Sequence, residues 1–150
     1  MSLDYANKIV EFINRVLESS GLDLTASLQS DEDGYKIDVR GEDKALLLGH
    51  NAELLDALEY LSNRLLVQMS GEEARITFDS NNYRALREKE LRLMAAHAAE
   101  KVRISRVPFS FDPMNPNERR IIHVSLAEDA TVKTESRGTG PDRKVTIYPA

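Results

Sequence analysis

An arginine and a histidine in the carboxyl-terminal half have a spacing that suits anion binding. Arg119 and His123 are four residues apart in a helical pattern, so their side chains leave one side of the helix on neighbouring turns. A guanidinium beside an imidazole suits one phosphate, and either group can stack on an unpaired base. The pair therefore indicates a nucleic-acid contact. The alternative is an ion pair of Arg119 with a carboxylate and a structural hydrogen bond of His123.

A second group of basic residues surrounds a glycine-containing loop. Arg137, Arg143 and Lys144 bracket residues 138–142, which have the sequence Gly-Thr-Gly-Pro-Asp. A basic loop of this kind is a common contact for backbone phosphates. It is equally common as a solubilising turn, and the residues alone do not decide between these two interpretations.

A third candidate lies between two predicted helices, at Gly49, His50, Asn51 and Ala52. Backbone amides at the start of the second helix could hold a phosphate there, and a Gly-x-x-Gly loop would let a nucleic-acid backbone approach closely. In this chain the second glycine is Ala52, neither middle residue is Lys or Arg, and acidic residues follow in the first helical turn. Those acids would repel phosphate. The pattern favours a plain helix–helix turn.

The residue types do not support catalysis or metal binding. The chain has no cysteine, and its three histidines share no ligand spacing, so we predict no metal and no cofactor. His97 lies on the apolar side of its helix and is predicted to be a core residue. A nuclease that uses His123 as a general base is a remaining alternative, but no nucleophile or metal motif accompanies it.

The charge of the chain divides unevenly along its length. The 150 residues have a formal net charge of −5, which by itself argues against a nucleic-acid partner. Residues 1–80, however, contain 7 Lys and Arg against 16 Asp and Glu, whereas residues 81–150 contain 13 against 9. Such asymmetry points to a nucleic-acid or surface-binding module in the basic half, or to two unrelated solvated surfaces. No apolar run approaches the roughly 18 residues of a membrane span, and the acidic amino terminus predicts no signal peptide.

Hydrophobic periodicity predicts the order α-β-β-α-α-β for the first half. We expect a helix over 3–19 that ends at Gly21, and then a hairpin around a turn at 31–34. A short helix over 44–48 reaches Gly49, and a strand over 74–78 closes this half. The helix after Gly49 is predicted to bury one leucine stripe, which comprises Leu54, Leu55, Leu58, Leu61 and Leu65.

The second half begins with a long predicted helix over 83–103, after a boundary near 80–82. We expect its buried stripe to contain Leu86, Leu93 and Met94, widened by Leu91, Ala95, Ala98 and Val102. An edge strand follows over 107–112. Asn115 as N-cap, Pro116 at the first position and Glu118 at the third predict the start of a helix over 116–127. Strands over 131–137 and 143–148 complete an α+β chain of two small domains.

Two stretches resemble known families. GEDKALLLGHNAELLDALEYL, with the element order of residues 1–80, resembles the helix–loop–helix core of a type II KH domain. PMNPNERRIIHVSL resembles the R-3-H domain, named for an Arg and a His separated by three residues, and GTGPDRKV is similar to the terminal hairpin of that domain. A KH domain followed by an R-3-H domain over 81–150 resembles the bacterial Jag (SpoIIIJ-associated) protein family.

The resemblance implies a fold and a function. It implies a non-catalytic cytoplasmic regulator that binds single-stranded RNA, or single-stranded DNA, is not inserted in a membrane, and is linked to cell elongation and envelope growth. It also implies a KH-domain protein partner or a homodimer. We predict that the basic half holds the strand and that the acidic half serves folding and protein pairing; the predicted contacts are Arg119, His123, Arg137, Arg143 and Lys144. The alternative is a KH-mediated interaction module with incidental RNA binding.

Overall fold

The computed structural model describes residues 1–71 and 73–150, which form two compact units. Unit 1 comprises Met1–Tyr83 and unit 2 comprises Arg84–Ala150. Each unit combines helices with a three-stranded sheet, as an α+β chain requires. Within the described ranges, no helix is long and apolar enough to cross a membrane.

Unit 1 is built around a sheet of strand order β1-β2-β3. Its elements are α1 (Leu3–Ser19), β1 (Thr25–Asp31), β2 (Gly34–Arg40), α2 (Lys44–Ser70) and β3 (Thr77–Asp79). β1 and β2 form the predicted antiparallel hairpin, and β3 pairs with β2 in parallel. α1 ends as predicted, because Gly21 has a φ of 70° and the Leu22 amide donates to the Leu17 carbonyl at 3.2 Å.

The helical conformation of α2 is interrupted at the predicted turn. Gly49 is extended, with a ψ of 162°, and the next three residues are left-handed, with φ values of 51°, 61° and 59° at His50, Asn51 and Ala52. A left-handed conformation costs a non-glycine residue roughly 1–2 kcal/mol. The turn between the two helical parts of α2 is therefore strained.

The buried stripe of α2 agrees with the prediction at Leu55 and Leu58, and after Leu58 it lies one position later than predicted. Leu61 is exposed and Leu65 is only partly buried, whereas Ser62 and Leu66 are fully buried beside Leu58. Leucines occur on both sides of this helix, so periodicity alone does not identify the inward side. The small Ser62 allows close packing at a position where a polar residue is not expected.

Asparagine side chains connect the helices of unit 1 to the strands. Asn63 on α2 donates to the Ile76 carbonyl at 2.9 Å and accepts from the Ile76 amide at 2.8 Å. Asn14 on α1 makes the same two bonds to Ala26, at 2.9 and 2.8 Å. The predicted strand over 74–78 begins only at Thr77, because the backbone of Ile76 bonds to the Asn63 side chain.

Unit 2 contains an antiparallel sheet of strand order β4-β6-β5. Its elements are α3 (Tyr83–Ser105), β4 (Phe109–Ser110), α4 (Pro116–Leu126), β5 (Val132–Arg137) and β6 (Lys144–Pro149). α4 begins as predicted, with the Asn115 side chain accepting from the Glu118 amide at 2.8 Å. The predicted strand over 107–112 is shorter, since only Phe109 and Ser110 pair in register with β6.

The buried side of α3 agrees with the prediction only in part: the four residues expected to widen the stripe, Leu91, Ala95, Ala98 and Val102, are buried, but its expected centre is not. Leu86, Leu93 and Met94 are exposed, Leu93 by 73%, and His97 is exposed rather than part of the core. The buried residues of α3 are mostly small and comprise Leu91, Ala95, Ala98, Ala99 and Val102. These side chains share one core cluster with Ile122 and Leu126 of α4 and with Val145 and Ile147 of β6.

Candidate nucleic-acid interface

Arg119 lies in the first turn of α4, and its orientation is set by a backbone group. Its Nη1 donates to the Met114 carbonyl oxygen at 2.6 Å, and the side chain is partly buried. The partner is thus a carbonyl just before the helix, in place of the carboxylate of the alternative interpretation. The neighbouring Arg120 is exposed.

His123 connects α4 to β5 through both ring nitrogens. Nδ1 lies 2.7 Å from Thr134 Oγ1, and Nε2 lies 2.7 Å from Ser136 Oγ. A neutral imidazole donates from one nitrogen and accepts at the other, so two hydroxyl groups satisfy it completely. Burial lowers the pKa of His123, and the positive charges of Arg119 and Arg143 lower that pKa further. The ring is therefore neutral at neutral pH.

Arg143 is held at the base of the hairpin loop. Its Nη1 donates to the Gly138 carbonyl at 2.9 Å, across a short 3-10 turn at Gly140–Asp142. Gly138 has a φ of 92°, and a Cβ there would lie 3.1 Å from the Asp142 carbonyl oxygen, so this position requires glycine. Arg119, His123 and Arg143 come from one helix and one hairpin, and we call them the inner cluster.

Arg137 and Lys144 lie on the other face of the same hairpin. Thr134 and Ser136 point to His123, and side chains alternate along a strand, so Arg137 points away from α4. Lys144 pairs with Arg137 in register and shares its face. The structure thus brings together three of the five predicted basic and histidine residues and separates the other two from them.

The face opposite α4, which we call the outer face, contains an aromatic ring that the sequence interpretation missed. Its residues are Lys133, Glu135, Arg137, Lys144, Tyr148 and the buried Thr146. The guanidinium carbon of Arg137 lies 5.2 Å from the centre of the Tyr148 ring, and Glu135 pairs with Arg137 at 3.1 Å. In the sequence, Thr134 and Ser136 alternate with charged residues, and this pattern indicates a strand with two chemically different faces.

A buried ion pair supports α4 next to Arg119. Glu118 is only 4% exposed, and its Oε1 accepts from Arg87 Nε of α3 at 2.8 Å. This hydrogen bond raises the pKa of Arg87. Arg87 also pairs with the exposed Glu90 at 3.0 Å. Glu118 Oε2 is buried and accepts no hydrogen bond from the residues that the structure describes. The burial of the Glu118 carboxylate therefore depends on the pairing of Oε1 with Arg87.

The loop of unit 1 offers little to an anion. His50 is exposed, whereas Ala52 is buried in the core. A Cβ at Gly49 would meet nothing within 4 Å, so packing within the chain does not require glycine there. Exposed Glu53 and Asp56 follow. Among residues 1–71 and 73–150, no group of three or more acidic or histidine side chains is arranged to hold a metal ion.

The family model of the R-3-H domain matches residues 89–149, which include the inner cluster. The chain is 34% identical over 143 residues to a protein named "RNA-binding protein KhpB" from Clostridium symbiosum, an alignment that covers 94% of this chain and 64% of that protein. It is 30% identical over 138 residues to the protein of the same name from Bacillus subtilis, covering 91% and 66%. The chain therefore spans about two thirds of the length of these relatives.

Proposed function

Because the chain belongs to the same family as the KhpB proteins, and its residues 89–149 match the R-3-H domain, we propose that it binds single-stranded RNA without catalysing a reaction. One observation carries the proposed site. Two arginines from different elements converge on a neutral histidine, and both charges that act on that histidine are positive. An arrangement of this kind suits the phosphate backbone of a nucleic acid.

The two arginines are the contacts with the strand. Each guanidinium has five N–H donors in a planar fork, and the hydrogen bond to a backbone carbonyl orients it through one Nη1. An oriented guanidinium loses less side-chain entropy when a phosphate binds. Arg119 and Arg143 are thereby prepared to bind phosphate oxygens.

His123 is a positioning residue in this proposal. Thr134 and Ser136 occupy both of its ring nitrogens, so it does not need an RNA group to complete its hydrogen bonds. It keeps α4 against β5, which sets the distance between Arg119 and the hairpin that contains Arg143. The same two hydrogen bonds argue against a general base at this position.

We also propose that residues 1–80 are a type II KH domain and residues 81–150 an R-3-H domain. The parallel pairing of β3 with β2 and the turn between two helical parts of α2 support the first assignment. In this scheme the acidic unit serves folding and protein pairing. A cytoplasmic location and a link to cell elongation stay predictions.

The second candidate function is a protein-interaction module formed by unit 1. Exposed apolar side chains on α2 favour it, among them Tyr60, Leu61 and Val67. Analytical ultracentrifugation separates the two functions. A chain that is monomeric at all concentrations and binds RNA supports the first, and a stable homodimer without RNA affinity supports the second.

The test of the proposed function measures the binding of a fluorescent single-stranded RNA by anisotropy. Arg119→Gln with Arg143→Gln is expected to weaken binding by about 30-fold, since each lost charge-assisted bond is worth at least about 1 kcal/mol. The slope of log K against log salt should fall by about 1.4 for two lost phosphate contacts.

The matched control removes two exposed arginines from the same unit, Arg92 and Arg120, by substitution with Gln. This control changes the net charge by the same amount as Arg119→Gln with Arg143→Gln. It is expected to weaken RNA binding less than about 3-fold, because only the general electrostatic attraction changes. Equal losses in the two double variants would show that net charge and not the inner cluster determines affinity.

A further inference from the structure

The outer face of unit 2 combines positive charge with an accessible aromatic ring. Lys133, Arg137 and Lys144 contribute three positive charges against the single carboxylate of Glu135. Tyr148 is partly exposed among them. At the edge strand β5 the face borders a concavity of about 580 Å³, which is lined by residues from both faces of β5, by Tyr148 and by the end of α4.

We infer that the outer face is a second subsite for the same single strand, in which an unpaired base stacks on Tyr148 and adjacent phosphates contact Lys133 and Lys144. This inference rests on the proposed function. The excess of positive charge selects a polyanion. The partly exposed ring, over which the Arg137 guanidinium lies, selects an unpaired base that takes the place of this guanidinium, because bases in a duplex already stack on one another.

The geometry of the hairpin connects the two subsites. Arg143 belongs to the inner cluster, and Lys144, the next residue, points to the outer face. Both are at the loop end of β6, where Arg137 is the cross-strand neighbour of Lys144. A strand that leaves Arg143 can therefore pass around the hairpin loop to Lys144 and Arg137 and then reach Tyr148.

Glu135 opposes this binding in a way that can be measured. Its carboxylate pairs with Arg137 at 3.1 Å, on the face where the phosphates would lie. An incoming phosphate competes with Glu135 for the guanidinium and is repelled by its charge. Removal of this one charge should therefore strengthen binding, a gain that damage to the fold would not produce.

The experiment uses the full chain and two labelled oligouridylates, one of about five nucleotides and one of about twenty, which bracket the range of known single-strand site sizes. Lys133→Gln with Tyr148→Leu is expected to weaken binding of the long strand by about 10-fold, the size of one lost base stack. The affinity for the short strand, which is expected to occupy the inner cluster, should change less than about 2-fold.

Three further variants make the test specific. Lys133→Gln with Tyr148→Phe retains the ring and is expected to recover most of the lost affinity. Glu135→Gln should strengthen long-strand binding by about 3-fold. Lys101→Gln removes one exposed lysine from α3 and controls for net charge. The melting temperature of each variant checks that the unit is folded.

The outcomes separate the inference from the proposed function. If the outer-face variants bind the long strand like the Lys101→Gln control while Arg119→Gln with Arg143→Gln loses it, the second subsite does not exist and the proposed function stands. If the wild-type chain binds neither strand, the proposed function fails and the inference with it. A loss confined to the long strand, with a gain for Glu135→Gln, supports the inference.

Discussion

The two units connect helices to strands in the same way but with different chemistry. In unit 1, Asn14 and Asn63 each make two hydrogen bonds from a helix to one strand residue's backbone. In unit 2, His123 makes two bonds from α4, but to the hydroxyl groups of Thr134 and Ser136. The amides are neutral at all pH values, whereas the imidazole titrates, with a pKa that burial and the charges of two arginines lower.

The candidate sites of the two units differ in a corresponding way. The 49–52 loop of unit 1 has a strained backbone and is followed by acidic residues. The inner cluster of unit 2 has arginines whose orientation is set by hydrogen bonds to carbonyl groups. A motif on the chain becomes a binding site only when neighbouring elements supply charges of the right sign.

The largest effect on stability is expected from the support of α4. Glu118→Gln removes the buried negative charge that pairs with Arg87, and we expect unit 2 to lose about 2–3 kcal/mol of unfolding free energy. Amide hydrogen exchange during urea unfolding, followed separately in the two units, measures this loss. RNA affinity should fall in parallel as unit 2 unfolds.

The control for this prediction is Glu90→Gln, because Glu90 pairs with the same arginine but is exposed. An exposed ion pair contributes about 0.5 kcal/mol or less. If both variants reduce the stability of unit 2 equally, burial is not what makes the Glu118 pair important.

A smaller effect, of opposite sign, is expected in unit 1. His50→Gly replaces an exposed residue with a φ of 51° by one that adopts this conformation without strain. We expect unit 1 to gain about 0.5–1 kcal/mol, since glycine relieves the strain but also increases the entropy of the unfolded chain. Thermal unfolding measures the gain.

His50→Ala is the matched variant, because alanine removes the imidazole and keeps the strain. It should give no comparable gain. RNA affinity is expected to be unchanged in both variants, since the proposed site lies in unit 2. A clear loss of RNA affinity in either variant would contradict the difference drawn between the two units.

The smallest effect expected is a pH dependence confined to unit 2. The pKa of His123 is lowered in the folded chain from the ordinary value of 6.5, so the unfolded chain binds more protons as the pH falls below that value. Unit 2 should therefore lose stability from about pH 6.5 downward, until the pH reaches the lowered folded pKa.

This loss should be absent from His123→Gln, which cannot titrate at that position. Urea unfolding at a series of pH values, followed in unit 2, compares the two chains. Identical slopes between pH 6.5 and the lowered folded pKa would mean that another group causes the pH dependence.

Much of the fold was predictable because local chemistry determines it. The end of α1 at Gly21 and the start of α4 at Asn115 depend on residues within one turn, and both lie where the patterns place them. The errors fall where a pattern permits two answers. α3 has two apolar stripes, and the exposed one contains Leu93.

Sequence alone determined the charge division of the chain, the order of its elements and the Arg119–His123 spacing, because these are properties of composition and of neighbours along the chain. Only the tertiary structure decided what those residues meet. The pairing of β5 with β6 and the packing of α4 on one face of the sheet place Arg143 with His123 and send Arg137 to the opposite face. Because side chains alternate along a strand, Arg137 must point away from α4 once Thr134 and Ser136 face it. The packing of α4 on the sheet, a contact between residues distant in the sequence, determines which face of β5 points inward.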